Sequence, residues 1–456
     1  MEHPGWFSPA TARLIATTIF VIAYIIIASE KLERAKVAVM AACLMIALGI
    51  VSQQQAFGGT EGSPPLVEWN VIFLLSGMMI IVTVLGRTGV FEWLAIKSVH
   101  LAKGRPAPLI AILSLVTALA SMFLDNVTTV ILIAPVTITL ARTLRIDPVP
   151  LLIAEVIASN VGGTATLIGD PPNIIIGSHA EIGFLPFLTE IGPAAVLSLI
   201  ATTALAMVWI GKPLKVGSEL RRMAMETDSI AAIRDPVLLK QALVVLSITI
   251  VGFLVHSLVH LEPATIALFG AAILMLISKE KAESLLSSIE WSTIFFFIGL
   301  FIMVGGLVEV GIIELLGQGL YHLCGPNIPV LSMVLLWMSA LLSAIVDNIP
   351  YVTTMCPVVE TIARDMYPQL AAPELRHELM HHADVLVLWW SLALGACLGG
   401  NATLIGASAN VVVAGIAEHE GYPISFMRFL KYGVVFTLVT LLVSTAYLWL
   451  RWLIHM

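Results

Sequence analysis

Apolar runs long enough to cross a hydrocarbon core as helix, about 17–25 residues each, recur along the whole chain and alternate with short polar stretches. They fall near residues 10–28, 35–52, 69–86, 150–178, 187–211, 238–259, 263–278, 291–308, 384–415 and 428–450. Two of them, 150–178 and 384–415, are interrupted by glycine-rich polar strings, which predicts helices broken at membrane depth. Two further segments, 106–144 and 329–366, each consist of two apolar arms meeting at a polar tip. These are predicted to be re-entrant helical hairpins, the first entering from the cytoplasm and the second from outside. The expected architecture is an all-α polytopic membrane protein with ten crossing helices and two hairpins.

The polar tips carry one message twice. Ser121-Met-Phe-Leu-Asp125-Asn126-Val-Thr128-Thr129, followed by Pro135, returns as Ser343-Ala-Ile-Val-Asp347-Asn348-Ile-Pro350-Tyr-Val-Thr353-Thr354, followed by Pro357. The aspartates, asparagines and prolines each sit 222 positions apart, as do Glu68-Trp69 and Glu290-Trp291 at the start of two spans. The breaks match as well. Gly162-Gly163-Thr164-Ala-Thr166-Leu-Ile-Gly169-Asp170-Pro171-Pro172-Asn173 returns as Gly399-Gly400-Asn401-Ala-Thr403-Leu-Ile-Gly406-Ala-Ser408-Ala-Asn410, now at an offset of 237, so the second half holds an insert between its motifs. Five crossings per half is an odd number, which forces the second copy to be inverted, as in many secondary transporters. The expected repeats are 1–211 and 238–456, joined by a charged cytoplasmic linker at 212–237.

Composition fixes the class. Apolar residues make up 59% of the chain and charged ones 12%, against roughly 25% charged in a soluble domain. No stretch is long and polar enough to be an extramembrane or nucleic-acid-binding domain. Under the ten-crossing count Lys31, Arg34 and Lys36, then Arg87, Lys97, Lys103 and Arg105, then Lys212, Lys215, Arg221, Arg222, Arg234 and Lys240, and finally Lys279 and Lys281, share one face. That face is expected to be cytoplasmic, with both termini outside an inner (plasma) membrane. The loop 53–68, without Lys or Arg, agrees. Met1–Pro4 lacks a basic n-region, so the first apolar run is expected to be a retained span. Four cysteines without paired spacing indicate neither a disulfide framework nor a zinc knuckle.

A carboxylate at mid-membrane costs about 2.5–3.5 kcal/mol to insert. Asp125 and Asp347 are therefore expected to face a wet cavity or to bind a cation or a proton, since burial disfavours the charged form of a carboxylate. Asn126, Asn348, Thr128, Thr129, Thr353 and Thr354 add neutral donors and acceptors. The plain alternative is capping of each hairpin's second arm, for which Asp and Asn are both suited. The glycines and prolines of the breaks leave half-helix ends able to hold an ion or polar substrate. Candidates there are Asn160, Gly163, Thr164, Thr166, Gly169, Asp170 and Asn173, with Gly400, Asn401, Thr403, Gly406 and Asn410 in the second half. Glu155 has no acidic counterpart at Leu392 and is a third proton-coupling candidate, a solvated helix end being the alternative.

His377-Glu-Leu-Met-His381 matches the zincin string His-Glu-x-x-His, but the polar stretch around it is too short for a zincin's shell and third ligand. A zinc metalloprotease is the remote alternative. Neither metal nor cofactor is expected, and without a Walker-A run, a Rossmann fingerprint or a hydrolase elbow the chain reads as neither pump nor enzyme.

Leu124-Asp-Asn-Val-Thr-Thr129 and Ile157-Ala-Ser-Asn-Val-Gly-Gly-Thr-Ala-Thr-Leu-Ile-Gly-Asp-Pro-Pro-Asn173 resemble the arsenite permease (ArsB)/NhaD family of the ion transporter superfamily, most of all its P-protein-like branch. More remotely the chain is similar to divalent-anion/sodium symporters, whose tips carry Ser-Asn-Thr where Asp125-Asn126-Val127 and Asp347-Asn348-Ile349 stand here. The resemblance implies a scaffold domain with a homodimer interface and a mobile domain moving as an elevator. It places substrate and protons at the two tips and two breaks, and leaves room for a separate ATPase subunit. Members are assigned arsenite or antimonite, sodium against protons, or chloride-like anions. Aspartate at both tips would repel a carboxylate-bearing substrate and favours a neutral hydroxide such as arsenous acid, or a cation. The expected function is proton-coupled efflux of arsenite or antimonite, followed by sodium/proton antiport and then anion transport. Cys356 and Cys397 are either soft ligands or small packing residues.

Overall fold

The computed structural model describes residues 7–29, 31–59, 65–226, 229–278 and 280–455. The segment Met1–Pro4 and Lys279 lie outside the described residues. The first half forms α1 (Pro9–Ala28), α2 (Arg34–Ala47), α3 (Trp69–Arg87), α4 (Val90–Ala102), α5 (Pro106–Ser121), α6 (Asn126–Leu144), α7 (Val149–Thr164), α8 (Pro171–His179) and α9 (Phe184–Ala206). The second half forms the same series: α10 (Pro236–Val259), α11 (Pro263–Ile277), α12 (Trp291–Glu309), α13 (Ile312–Cys324), α14 (Ile328–Ser343), α15 (Asn348–Met366), α16 (Ala383–Gly399), α17 (Ser408–His419) and α18 (Phe426–Arg451). Shorter helices fill the connections.

Local chemistry sets these boundaries. Proline opens α5, α8, α10 and α11, where its missing N–H costs nothing. Gly89 and Gly311, also 222 apart, turn the chain into α4 and α13 at φ +83° and +75°, a conformation cheap only for glycine. Eight helices among the described residues are long and apolar enough to cross a membrane: α1, α3, α6, α9 with its extension to Gly211, α10, α12, α16 with its extension to Ala402, and α18. Of the expected crossings, α2, α11 and α7 are shorter, at 14, 15 and 16 residues. The hairpin arm α6 is long enough to span.

The helices sort into two groups, and the contacts of one half recur in the other. In the first group α2 packs on α12 and α11 on α3, while α1 and α10 flank these pairs. Each crossing is closed by a glycine. A Cβ on Gly77 would lie 2.7 Å from the Ala267 carbonyl carbon, and one on Gly299 would lie 2.6 Å from that of Ala38. In the second group α5 packs along α7 and α14 along α16. Here a Cβ on Gly162 or Gly399 would strike the backbone of Ala118 or Ala340. The pieces beyond the breaks cross over: α8 lies against α15, and α17 against α6. Thus α7 and α16 meet in the middle, with α9 and α18 packed against them. Outward faces are apolar, as at Leu14, Ile200, Leu258, Leu276 and Leu450, which suits a lipid surround.

Candidate substrate and ion site

Both hairpin tips are stitched to the breaks by the same bonds. Asn126 N donates to Gly169 O at 3.1 Å and Asn348 N to Gly406 O at 3.2 Å. Within each break the loop folds back on itself. A Cβ on Gly400 would come within 2.6 Å of Gly406 O, and one on Gly169 within 2.7 Å of Gly163 Cα. The threonines tie the breaks to the tips, Thr166 Oγ1 donating to Met122 O and Thr403 Oγ1 to Ala344 O. These symmetric bonds bring four separated motifs to one place.

At that place the side chains form a chain of amides across the two halves. Asn126 Nδ2 donates to Asp170 Oδ1 at 3.1 Å and to Asn160 Oδ1 at 3.0 Å. Asn160 Nδ2 donates onward to Asn401 Oδ1 at 2.9 Å and Asn410 Oδ1 at 3.0 Å. From the other tip Asn348 Nδ2 reaches Asp170 Oδ2 at 3.4 Å. One carboxylate is therefore held between both tips, although the second half has alanine at the equivalent position 407. Asp170, Asn160, Asn401 and Asn410 are at most 1% exposed. Buried as they are, Asn126 Oδ1, Asn401 Nδ2 and Thr129 Oγ1 lack a partner among the described residues, which leaves bonding capacity for a guest.

Other expected ligands are already occupied. Asn173 Nδ2 donates to the carbonyls of Gly163, Thr164 and Thr166, and Asn410 Nδ2 to those of Gly400 and Thr403. Thr164 and Thr353 bond the carbonyls of Asn160 and Ile349, one turn back. Thr354 bonds Pro350 O and the Tyr24 hydroxyl. These residues shape the site rather than lend it free atoms.

The two aspartates differ. Asp125 Oδ2 accepts from Thr128 N at 3.0 Å and Thr128 Oγ1 at 3.1 Å, which is the capping arrangement. Asp347 caps as well, through Ile349 N, but also meets Arg34 Nη1 at 3.3 Å and Ser408 Oγ at 2.6 Å. Sequence reasoning used Arg34 only as a marker of the cytoplasmic face and left Ser408 and Tyr24 aside. An arginine at the first position of an apolar run was the available signal. Glu155 is 4% exposed, which excludes a solvated helix end; Thr137 Oγ1 donates to its Oε1 at 2.6 Å. It lies outside the amide chain. Cys397 Sγ donates to Asn173 Oδ1 at 3.2 Å, whereas Cys356 is buried in α15 without touching the amides. His377 faces Glu181 and His381 bonds His377 O. No group of three potential metal ligands occurs among the described residues.

Residues 24–395 match the CitMHS family, described as citrate transporter. The uncharacterized transporter Rv2685 of Mycobacterium tuberculosis is 44% identical over 443 residues, which cover 97% of this chain and 99% of that protein. The P protein of Homo sapiens is 33% identical over 521 residues, 97% of this chain and 60% of that protein. Among solved structures, the YdaH transporter of Alcanivorax borkumensis matches with a TM-score of 0.55 at 14% identity, covering 98% of each chain. MtrF of Neisseria gonorrhoeae, placed by its description in a class of antimetabolite efflux pumps, matches at 0.56 and 11%, covering 99% of this chain and 96% of that one. At those identities the fold alone is shared. Family and relatives are transporters rather than enzymes. This chain is accordingly a multi-pass membrane transporter, and it belongs to the CitMHS citrate-transporter family.

Proposed function

We propose that the chain is a proton-coupled secondary transporter that exports arsenite or antimonite, its halves an inverted repeat and its second helical group sliding past the first as an elevator. The observation that carries the reading is Asp170, held by Asn126 from one hairpin tip and Asn348 from the other. A carboxylate clasped between two halves at broken-helix ends is suited to load and release a proton as the halves exchange access. Asp125, Asp170 and Asp347 bring three carboxyls to the tips and the first break, and the guanidinium of Arg34 meets one of them, Asp347. A free polycarboxylate such as citrate would be repelled unless those groups were protonated, while a neutral hydroxide would find amide donors and acceptors. The Cys397 thiol beside Asn173 supports a thiophilic cargo. The excess of carboxylates also favours a second reading, sodium/proton antiport.

Everted membrane vesicles decide between them when arsenite, antimonite, sodium, chloride and citrate are offered in turn while internal pH is followed. Arsenite or antimonite uptake with proton countermovement, lost in Asp125→Asn, is the expected result. Sodium-driven proton movement without metalloid flux transfers the reading to antiport. Citrate uptake that survives Asp125→Asn overturns both.

A further inference from the structure

Arg34 opens α2, in the first helical group, yet its guanidinium reaches out of that group. Nη1 lies 3.3 Å from Asp347 Oδ2 on the second hairpin tip and donates to Ser408 Oγ at the start of α17. Ser408 Oγ donates to the same aspartate oxygen. Among the ion pairs of the described residues this one alone joins α1–α3 or α10–α12 to α5–α9 or α14–α18. The other polar contacts across that boundary include Tyr24 with Pro350 and Thr354, and Ser178 with Glu68. The other half has no equivalent, because α11 follows Glu262 and begins with Pro263.

We infer that Arg34 is a positioning residue that latches the second group to the first while Asp347 is ionised, and that a proton on Asp347 opens the latch. The inference rests on the proton-coupled reading above. When the proton adds to Asp347 Oδ2, the carboxyl becomes neutral and the charge-assisted bond to Nη1 is lost. The guanidinium then keeps the Phe296 ring, whose centroid is 5.1 Å from its central carbon. The titratable or charged groups facing Asp347 are Arg34 from α2, Tyr24 from α1 and Asp170 from the first break; Ser408 faces it from α17 and is neutral. Of these only Arg34 supplies positive charge. The ionised pair is net neutral and the protonated one net positive, so the proton changes the force between the groups rather than only the occupancy of a site.

Spin labels at Ser287, in the loop before α12, and at Thr143, near the end of α6, are both exposed and sit one on each group. In the full chain reconstituted without cargo, with Cys43 and Cys324 replaced, pulsed dipolar measurements report the distance between the groups. The wild-type distribution is expected to change between about pH 8 and about pH 2.5, a range that brackets the ordinary aspartate value of about 3.9. Arg34→Gln and Asp347→Asn should show the low-pH distribution throughout, Arg34→Lys should keep the pH response, and the exchanged pair Arg34→Asp with Asp347→Arg should restore it. An unaltered pH response in Arg34→Gln overturns the latch and leaves proton coupling standing. A wild-type distribution that ignores pH overturns both.

Discussion

Asp125 and Asp347 hold equal places in the duplicated motif but unequal surroundings, and the difference is measurable. Asparagine caps a helix as well as aspartate does, so Asp125→Asn should leave the unfolding temperature in detergent unchanged while abolishing coupled flux. Asp347→Asn removes the anion facing Arg34 and should destabilise the protein as well, by roughly 1.5–3 kcal/mol for a lost charged hydrogen bond. Equal melting of the two variants in a thermal-shift assay would show that the ion pair contributes nothing. A similar split applies to the asparagines. The sequence marked Asn173, Asn401 and Asn410 as ligands of one kind, because type and spacing say nothing about which atoms are already bonded. Asn173→Ala removes bonds to three carbonyls, each worth about 0.5–1.5 kcal/mol, and should lower folded yield. Asn401→Ala removes an amide nitrogen that has no partner among the described residues, together with the single bond its oxygen accepts from Asn160, and should weaken arsenite binding, read by calorimetry, with a smaller loss of melting than Asn173→Ala. A reversed pattern would return Asn173 to the ligand set and move Asn401 to the frame.

At the scale of elements, helix boundaries and breaks were legible because glycine and proline punctuate them, whereas the partners of each helix were not. Nothing local says that α3 seeks α11, or that α2 seeks α12. The glycines hold that information only in retrospect. Gly77→Ala and Gly299→Ala should each force a crossing apart at a cost of about 1–3 kcal/mol of overpacking, since the new Cβ would meet backbone rather than a flexible side chain. Gly319→Ala, with nothing within 4 Å of its Cβ, is the control. Thermal unfolding of the three variants in one detergent checks the difference, and equal melting would refute the tight crossing. The insert of the second half found a role the sequence did not forecast. Its Arg376 bonds Glu181 at 2.6 Å and Glu360 at 3.1 Å, and His377 meets Glu181 at 3.0 Å, tying the insert to the end of α8. Burial pushes the Glu181 carboxyl up, but the His377 hydrogen bond and the Arg376 charge outweigh it and hold the group below its ordinary value. That contact therefore adds stability above the unfolded glutamate value of about 4.3 and loses it as pH falls through the lower folded value. Hydrogen exchange of the amides at 376–382 should be slower in wild type than in Glu181→Gln at neutral pH. The gap should narrow as pH falls below the ordinary glutamate value of about 4.3, and a gap that does not change with pH would assign the protection to packing alone.

For the whole molecule, duplication was the legible feature, because two motifs at fixed offsets survive in a sequence without any knowledge of contacts. The boundary between the two helical groups was not. Arg34 and Asp347 are separated by 313 positions, and a pair so distant leaves no period or spacing to detect. The proposed count of five crossings per half makes a prediction for the whole molecule: the second half should face the opposite way. Arg105, just before α5, and Glu374, between α15 and α16, are both exposed and test it directly. If the first hairpin enters from the cytoplasm and the second from outside, Arg105→Cys and Glu374→Cys lie on opposite sides of the membrane. Cys43 and Cys324 are replaced beforehand, while Cys356 and Cys397 are buried and can stay. An impermeant maleimide added to intact cells should then label Glu374→Cys alone, and the same reagent added to everted vesicles should label Arg105→Cys alone. Labelling of both from one side would make the crossing number per half even, turn the inverted repeat into a parallel one, and remove the basis for alternating access between matched hairpins.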